Sequence, residues 1–418
     1  MKANTMHEAP RPRMLAGFLA LALLAACTAG SGSVVPTGDH GVVAQNISRA
    51  LPGDSPSPTP TPAPQGLVGG LLGLVGGVVN VLISPACTGL LHCNALLNGS
   101  VKPNSNPHPA SVQGYTPQQL WAAYGLQAPP ANVAANGPTI AIVDAFDDPS
   151  AESDLAVYRS QFHLPPCTTA NGCFSKLNAA LQPGPYPASD VGWSMEISLD
   201  LAMASAACPT CKIVLVEAAS SDMNLLALAV DAIAATNPAA ISNSYGVTET
   251  ADAVALDAHY NHPGIAITAS VGDQTGVEFP ASSSNVIAVG GTSLHTAQTP
   301  RGWTETAITK SGVGCSAYVA RPAWQNDSCT NRGVGDVSFV ADAATGLAVY
   351  DTQSGGWIVL GGTSAGAPFV AGLTALAGDF GSGTGAAHIY ANAGTLNQIT
   401  GIPSADTTLG SPNGLGAF

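Results

Sequence analysis

Thr139-Ile140-Ala141-Ile142-Val143 is wholly apolar after its opening threonine and rich in β-branched residues. Such a run reads as a strand buried on both faces, the kind found in parallel sheets. Strand-like runs recur at Lys212–Val216, Ala240–Ser244, Ile265–Ala269 and Val286–Val289, separated by helical stretches at Ser194–Ala207, Asn224–Ala235 and Ala251–His259. This alternation predicts an α/β fold with a doubly wound, mostly parallel sheet, helices on both faces and a site at the carboxyl ends of the strands. Just upstream, Thr116-Pro117-Gln118-Gln119-Leu120 opens a short helix, with Thr116 as N-cap and Pro117 in the first turn.

The chain has 418 residues, which at about 150 residues per domain gives one large or two small domains. Apolar residues make up 46% and charged residues 9%, far below the roughly 25% charged of an average soluble protein, so a disordered polyampholyte is excluded. Twelve basic residues stand against 26 acidic ones, a net charge of -14. That balance argues against nucleic acid as a partner, because phosphates need a basic surface. It also suits work in acid, where many Lys and Arg would leave the fold self-repelling once its carboxylates protonate.

Lys2, Arg11 and Arg13 precede the apolar run Met14–Ala26, too short for a spanning helix and right for a signal peptide over residues 1–26. The run ends in Leu24-Ala25-Ala26-Cys27, which resembles a bacterial lipoprotein signal with Cys27 as the lipidated first residue; ordinary cleavage at a small-residue site is the alternative. The expected location is the bacterial cell envelope or the extracellular space, with a membrane contact through lipidated Cys27. Without residues 1–26 the chain holds 9 basic and 25 acidic residues, net -16.

Residues 27–111 read as anchor, spacer and apolar segment ahead of a domain over 112–418. Ala50–Gln65 alternates proline with small polar residues, a polyproline-type spacer that cannot form a core. A short repeat, Gly66-Leu-Val-Gly-Gly-Leu-Leu and Gly73-Leu-Val-Gly-Gly-Val-Val, runs on to Ile83 with Asn80 as its one polar side chain. Membrane association and packing against the domain are both open for it, since six glycines penalise a helix by about 1 kcal/mol each. Eight cysteines remain besides Cys27. In an exported chain they read as four local disulfides: Cys87 with Cys93, Cys167 with Cys173, Cys208 with Cys211 and Cys315 with Cys329. Cys208-Pro-Thr-Cys211 also has the form of a redox motif or half a zinc site, but no His or Cys lies nearby in sequence to complete a metal site.

Gly361-Gly-Thr-Ser364-Ala-Gly-Ala-Pro368 sets a serine after glycines at the mouth of an apolar helix, where free N–H groups favour developing negative charge. A structural N-cap serine is the plain alternative. Gly362-Thr-Ser364-Ala-Gly366 also fits the Gly-x-Ser-x-Gly elbow of α/β-hydrolases, followed by Asp379 and His388. Only 54 residues follow that serine, too few for the elements that carry those partners. No histidine lies in a His-Gly-Thr-His-like context. The helix that would carry a base instead reads Trp193-Ser-Met-Glu196-Ile-Ser-Leu-Asp200, with both acids on one face at i and i+4.

This constellation resembles the sedolisin family of serine-carboxyl peptidases, which have a subtilisin-like fold and use Glu as base. The resemblance runs from about Tyr115 to Gly401 and includes Tyr115–Gly125, Trp193–Asp200, Ser242-Asn-Ser-Tyr-Gly246, Ser270-Val-Gly-Asp273-Gln-Thr-Gly276, Trp303-Thr-Glu-Thr306 and Gly361–Pro368. It implies Ser364 as nucleophile, Glu196 as base, Asp200 as the group orienting Glu196, and Asp273 as the oxyanion-side acid, with protein or peptide substrates. One acid must be charged while another is neutral, so activity is expected in acid. Trp193 is expected beside the site, with Asn243 and Tyr245 on a substrate-binding edge. Asp144 reads as a strand-end residue with a local role. The family's calcium site is degraded, with Gln398 and Gly410 where Asp is expected, so no metal or other cofactor is anticipated, with a weak calcium site on Asp406 or backbone carbonyls as the alternative. Residues 28–111 are also too short for the family's usual prodomain, which keeps a catalytically silent binding or structural protein as the second class. A monomer is expected.

Overall fold

The computed structural model describes residues 81–130, 133–378, 380, 383, 385–402 and 407–418. The expected signal peptide, Cys27, the proline-rich spacer and most of the glycine-rich repeat lie outside them, as do Asp379 and Asp406. Three short strands come first: β1 (Ile83–Pro85), β2 (His92–Cys93) and β3 (Leu96–Asn98), then helix α1 (Pro117–Ala123). The alternating part runs β4 (Thr139–Ala145), α2 (Ala151–Gln161), β5 (Phe174–Asn178), α3 (Val191–Ala207), β6 (Lys212–Ala218), α4 (Met223–Ala234) and β7 (Ala240–Asn243). It continues through β8 (Tyr245–Thr248), α5 (Ala251–Val254), β9 (Ala266–Ser270), β10 (Glu278–Phe279) and β11 (Ile287–Thr296). The last part holds β12 (Trp303–Ala307), β13 (Gly314–Ala320), β14 (Asn331–Val334), β15 (Val337–Val340), β16 (Leu347–Asp351), β17 (Gly356–Gly361), α6 (Gly366–Ala377) and α7 (Ala387–Ala391).

The main sheet has the order β12-β11-β9-β7-β4-β6-β5, with β15 also paired to β11. All its pairings are parallel except that of β12. The apolar run that opens the sequence reading is its central strand β4. Ile140 and Ile142 pack with Ile197, Leu201 and Ala371 of α3 and α6, whereas Ala141 and Val143 join a second cluster with Leu226 and Val230 of α4. Alternate side chains thus enter opposite layers, and the sheet is doubly wound. Helix α1 starts as its sequence predicts, with a reciprocal capping box: the Thr116 N–H donates to Gln119 Oε1 at 2.9 Å and the Gln119 N–H to Thr116 Oγ1 at 3.4 Å. The expected helix over 251–259 is shorter, ending at Val254 and followed by a 3-10 turn at Asp257–Tyr260.

One boundary differs from the sequence reading. Folded strands begin at Ile83, well before the expected edge at 112. Strand β3 pairs antiparallel with β17, β1 with β3, and β2 with β8. These strands are two or three residues long, too short to leave a periodic trace, and β2 and β3 find partners far along the chain. All four expected cysteine pairs are disulfides in the structure. Among the described residues no helix is long and apolar enough to cross a membrane.

Candidate active site

Ser364 sits in a tight turn, Thr363–Ala365, between β17 and α6. Gly362 enters this turn at φ +95°, a conformation that glycine adopts freely and other residues resist. A Cβ at Gly362 would also lie 2.7 Å from Asp273 Oδ2. Asp273 follows β9 and fixes the turn, because its Oδ1 accepts from the Thr363 N–H at 2.7 Å. The neighbouring Gly272 N–H donates to Thr363 Oγ1 at 3.1 Å. Asp273 Oδ2 is buried with no hydrogen-bond partner.

Helix α3 is capped by Asp190, whose carboxylate accepts from the Trp193 N–H at 3.0 Å. Nearly every residue of α3 after that turn is buried, so its apolar character all round matches its place between layers. Glu196 and Asp200 are fully buried, and neither carboxylate makes a hydrogen bond among the described residues. Buried carboxylates in a structural role are normally satisfied, so this pair is a candidate for a working site. Burial pushes Glu196 well above the ordinary carboxylate range, and the negative charge of Asp144 adds to it. Asp200 rises for the same two reasons, burial first. Ser364 and Asp200 are close enough to Glu196 to act on its ionisation, but neither is aligned with it. The Ser364 hydroxyl instead donates to the Ser244 carbonyl at 3.2 Å.

Asp144 is the member that the sequence reading treats as merely local. It lies at the carboxyl end of β4, fully buried, and burial raises it to about 7. Its action on both Glu196 and Asp200 makes Glu196 one of three clustered carboxyls. Asp273 is raised by burial to about 7 as well, against the opposing pull of the Thr363 hydrogen bonds. Such a set holds acids in different protonation states side by side, as proton transfer to and from a serine requires.

The structure brings Ser364, Glu196, Asp200 and Asp273 together. Trp193 is buried one turn from Glu196 and packs on Phe146, ring centroids 6.2 Å apart. The side chains of Asn243 and Tyr245 point inward instead of to a substrate edge. The Tyr245 hydroxyl donates to Asn243 Oδ1 at 2.7 Å, and Asn243 Nδ2 donates to the Thr268 carbonyl at 3.0 Å. The backbone of this stretch pairs with β2 on one side and β10 on the other.

Among the described residues, the segment where the family resemblance would put a calcium site is closed by backbone pairing. Asn397 and Ser411 close on each other through paired backbone bonds of 2.9 and 3.1 Å. A Cβ at Gly410 would lie 2.4 Å from the Asn397 carbonyl oxygen, leaving no room for an acidic ligand. Among the described residues one group of potential metal donors converges, Cys87, Cys93 and Glu196. Its sulfurs are joined as a disulfide, so no thiolate is offered to an ion.

No family model matches the chain. Kumamolisin from Bacillus sp. (strain MN-32) is 31% identical over 304 residues, covering 64% of this chain and 52% of that protein. Sedolisin from Pseudomonas sp. (strain 101) is 36% identical over 117 residues, 25% of this chain and 20% of that one. The aligned parts of the chain thus span about half the length of kumamolisin and a fifth of the length of sedolisin. The solved structure of Pseudomonas sedolisin, a serine-carboxyl proteinase complexed with two molecules of pseudo-iodotyrostatin, aligns with a TM-score of 0.58 at 24% identity. That alignment covers 73% of this chain and 93% of the other, and establishes the shared subtilisin-like fold.

Proposed function

The chain belongs to the sedolisin family, and on that premise we propose that it is a serine peptidase acting on protein or peptide substrates in acid. In this reading Ser364 attacks the peptide carbonyl and Glu196 takes the hydroxyl proton and returns it to the leaving amine. Asp200 positions Glu196, and protonated Asp273 donates to the tetrahedral oxyanion. The observation that carries the reading is the partnerless Asp273 Oδ2, held by the turn that carries Ser364 and directed to the space beside Gly362.

The pH range follows from the same groups. Asp273 can donate only while neutral, so activity falls as pH rises through about 7. Glu196 must carry a charge, so activity also falls once the carboxyl cluster is fully protonated. The test is hydrolysis of a protein substrate from about pH 2 to 8, a span bracketing these titrations. Wild type is compared with Ser364→Ala and Glu196→Gln, each checked for folding by circular dichroism. Acid-limited hydrolysis lost in both variants supports the mechanism. Hydrolysis that survives Glu196→Gln removes Glu196 as base.

The reading extends to location and assembly. The chain is exported, Cys27 is its lipid anchor, the domain acts as a monomer at the cell envelope, and catalysis uses no calcium. Metabolic labelling with a fatty-acid probe, compared between wild type and Cys27→Ser, tests the anchor.

A further inference from the structure

The cleft is not open in this structure. Strand β2 lies antiparallel to β8, with His92 opposite Gly246 and Cys93 opposite Tyr245. One residue on, the Asn94 N–H donates to the Ser244 carbonyl at 3.2 Å, extending the same ladder. The Asn94 carbonyl then accepts from the Ser364 N–H at 3.0 Å. It also reaches the pocket beside Gly362, where a Cβ would lie 2.1 Å from Asn94 O, 2.7 Å from Asp273 Oδ2 and 2.8 Å from Ala95 Cα. A peptide carbonyl thus accepts from the Ser364 N–H on the same side of Gly362 as the Asp273 carboxyl, where a reacting carbonyl would stand. On the other side of that carbonyl, Leu96 and Leu97 pair with Gly361 and Leu360 of β17.

The side chains agree with this pose. Asn94 is buried and its Nδ2 donates to Ser270 Oγ at 2.9 Å. The Cys87–Cys93 disulfide lies against the base, its sulfurs within 4.8 Å of a Glu196 carboxylate oxygen. His92 Nε2 meets Glu278 Oε1 at 3.2 Å. The loop is closed at its foot by the β1–β3 pairing and by the Ala86 N–H donating to the Ala95 carbonyl at 2.9 Å.

We propose that residues 86–95 form a disulfide-closed inhibitory loop, in which Asn94 and Ala95 occupy the cleft as a peptide substrate would and keep other chains out. The inference rests on the peptidase reading of the cleft. Strand addition to an exposed edge is how extended peptides are commonly bound, and here the chain supplies the strand itself. The hairpin foot explains why the loop inhibits instead of being consumed. If the Asn94–Ala95 bond were cut, β1 and β3 would hold the new amine beside the acyl group, so resealing would compete with release. The Cys87–Cys93 bond restricts the loop to this shape, which reduces the cost of ordering it.

The test compares the full chain with Cys87→Ser/Cys93→Ser and with Asn94→Pro. The second variant deletes the N–H that reaches Ser244 and leaves the disulfide alone. Hydrolysis of a chromogenic peptide is read beside amide exchange of residues 92–98, the exchange in a Ser364→Ala background so that it needs no activity. Exchange in β4 reports folding. A tethered loop competes at an effective concentration in the millimolar range, so opening it should raise hydrolysis by about tenfold or more. Faster hydrolysis in either variant, with residues 92–98 losing protection while β4 keeps it, supports the proposal. Silent wild type and variants with residues 92–98 protected in the closed form support the loop and overturn the peptidase reading. Residues 92–98 exchanging as freely in the disulfide-closed chain as in the opened one overturn the loop, whatever the activity.

Discussion

Replacing Asp273 by Asn separates the shape of this side chain from its proton. Asn Oδ1 can still accept the Thr363 N–H that Asp273 Oδ1 accepts at 2.7 Å, and its amide can donate where Oδ2 now stands. The carboxyl donates only while protonated, and burial raises it to about 7. Above that pH the fraction of competent wild type falls about tenfold per unit, roughly 100-fold by two units beyond the midpoint. The amide does not titrate, so the Asn variant should hold its kcat/KM across the same range. Asp273→Ala removes the donor at every pH and should lower kcat by about 10²–10³. The assay is kcat/KM on a chromogenic peptide at closely spaced pH values, with near-ultraviolet circular dichroism on each sample. An alkaline limb with the same midpoint in wild type and Asp273→Asn would falsify the oxyanion role and assign that limb to another group.

Three further outcomes are expected. Asp144→Asn removes the charge that raises Glu196 and Asp200, so the acid limb of the activity profile should move to lower pH. The stability tied to neutral Asp144, raised to about 7 in the fold, is fully present below about pH 4 and lost as pH rises through about 7; the Asn variant should flatten that slope in thermal melts. Ile142→Ala, at a site with no solvent exposure in the central strand, should cost about 2–5 kcal/mol in urea unfolding; a loss below about 1 kcal/mol would argue against tight packing there. In the Ser364→Ala background, protection of residues 92–98, corrected for intrinsic exchange, should increase from about pH 8 to about pH 5, where His92 gains its proton; protection that is flat or decreases would contradict the linkage argued below.

Central sheet and catalytic helix were legible because each obeys a local rule. Thr139–Val143 is apolar throughout since both faces of β4 are covered, and Glu196 and Asp200 share a face because they are one helical turn apart. Strands β1 to β3 obey no such rule, as each has two or three residues, and β2 and β3 take their places from distant partners. Asp144 resembles any acid at the end of a strand until β4 and α3 are packed side by side. At Asn243 and Tyr245 the stretch was identifiable, but not which of its atoms face the cleft. The side chains bond to Thr268 and to each other in the interior, leaving backbone groups for the incoming strand.

The loop and the buried acids are thermodynamically linked. The Cys87–Cys93 disulfide against Glu196 and the Asn94 carbonyl beside Asp273 remove water from both carboxyls. Burial is the first cause of the raised values of Asp144, Glu196, Asp200 and Asp273. His92 is raised too, chiefly by its hydrogen bond to Glu278, with Asp273 adding to the attraction. The closed form therefore binds protons more tightly than a form with a hydrated cleft, and by reciprocity protons favour closure. Acid then serves the chemistry by keeping Asp273 neutral while it tightens the loop that blocks the chemistry. In the peptidase reading, acid alone therefore leaves the closed chain with only a fraction of the opened chain's activity, and the Cys87–Cys93 bond, which holds Cys93 in the ladder against β8, is a place where a covalent change would release it.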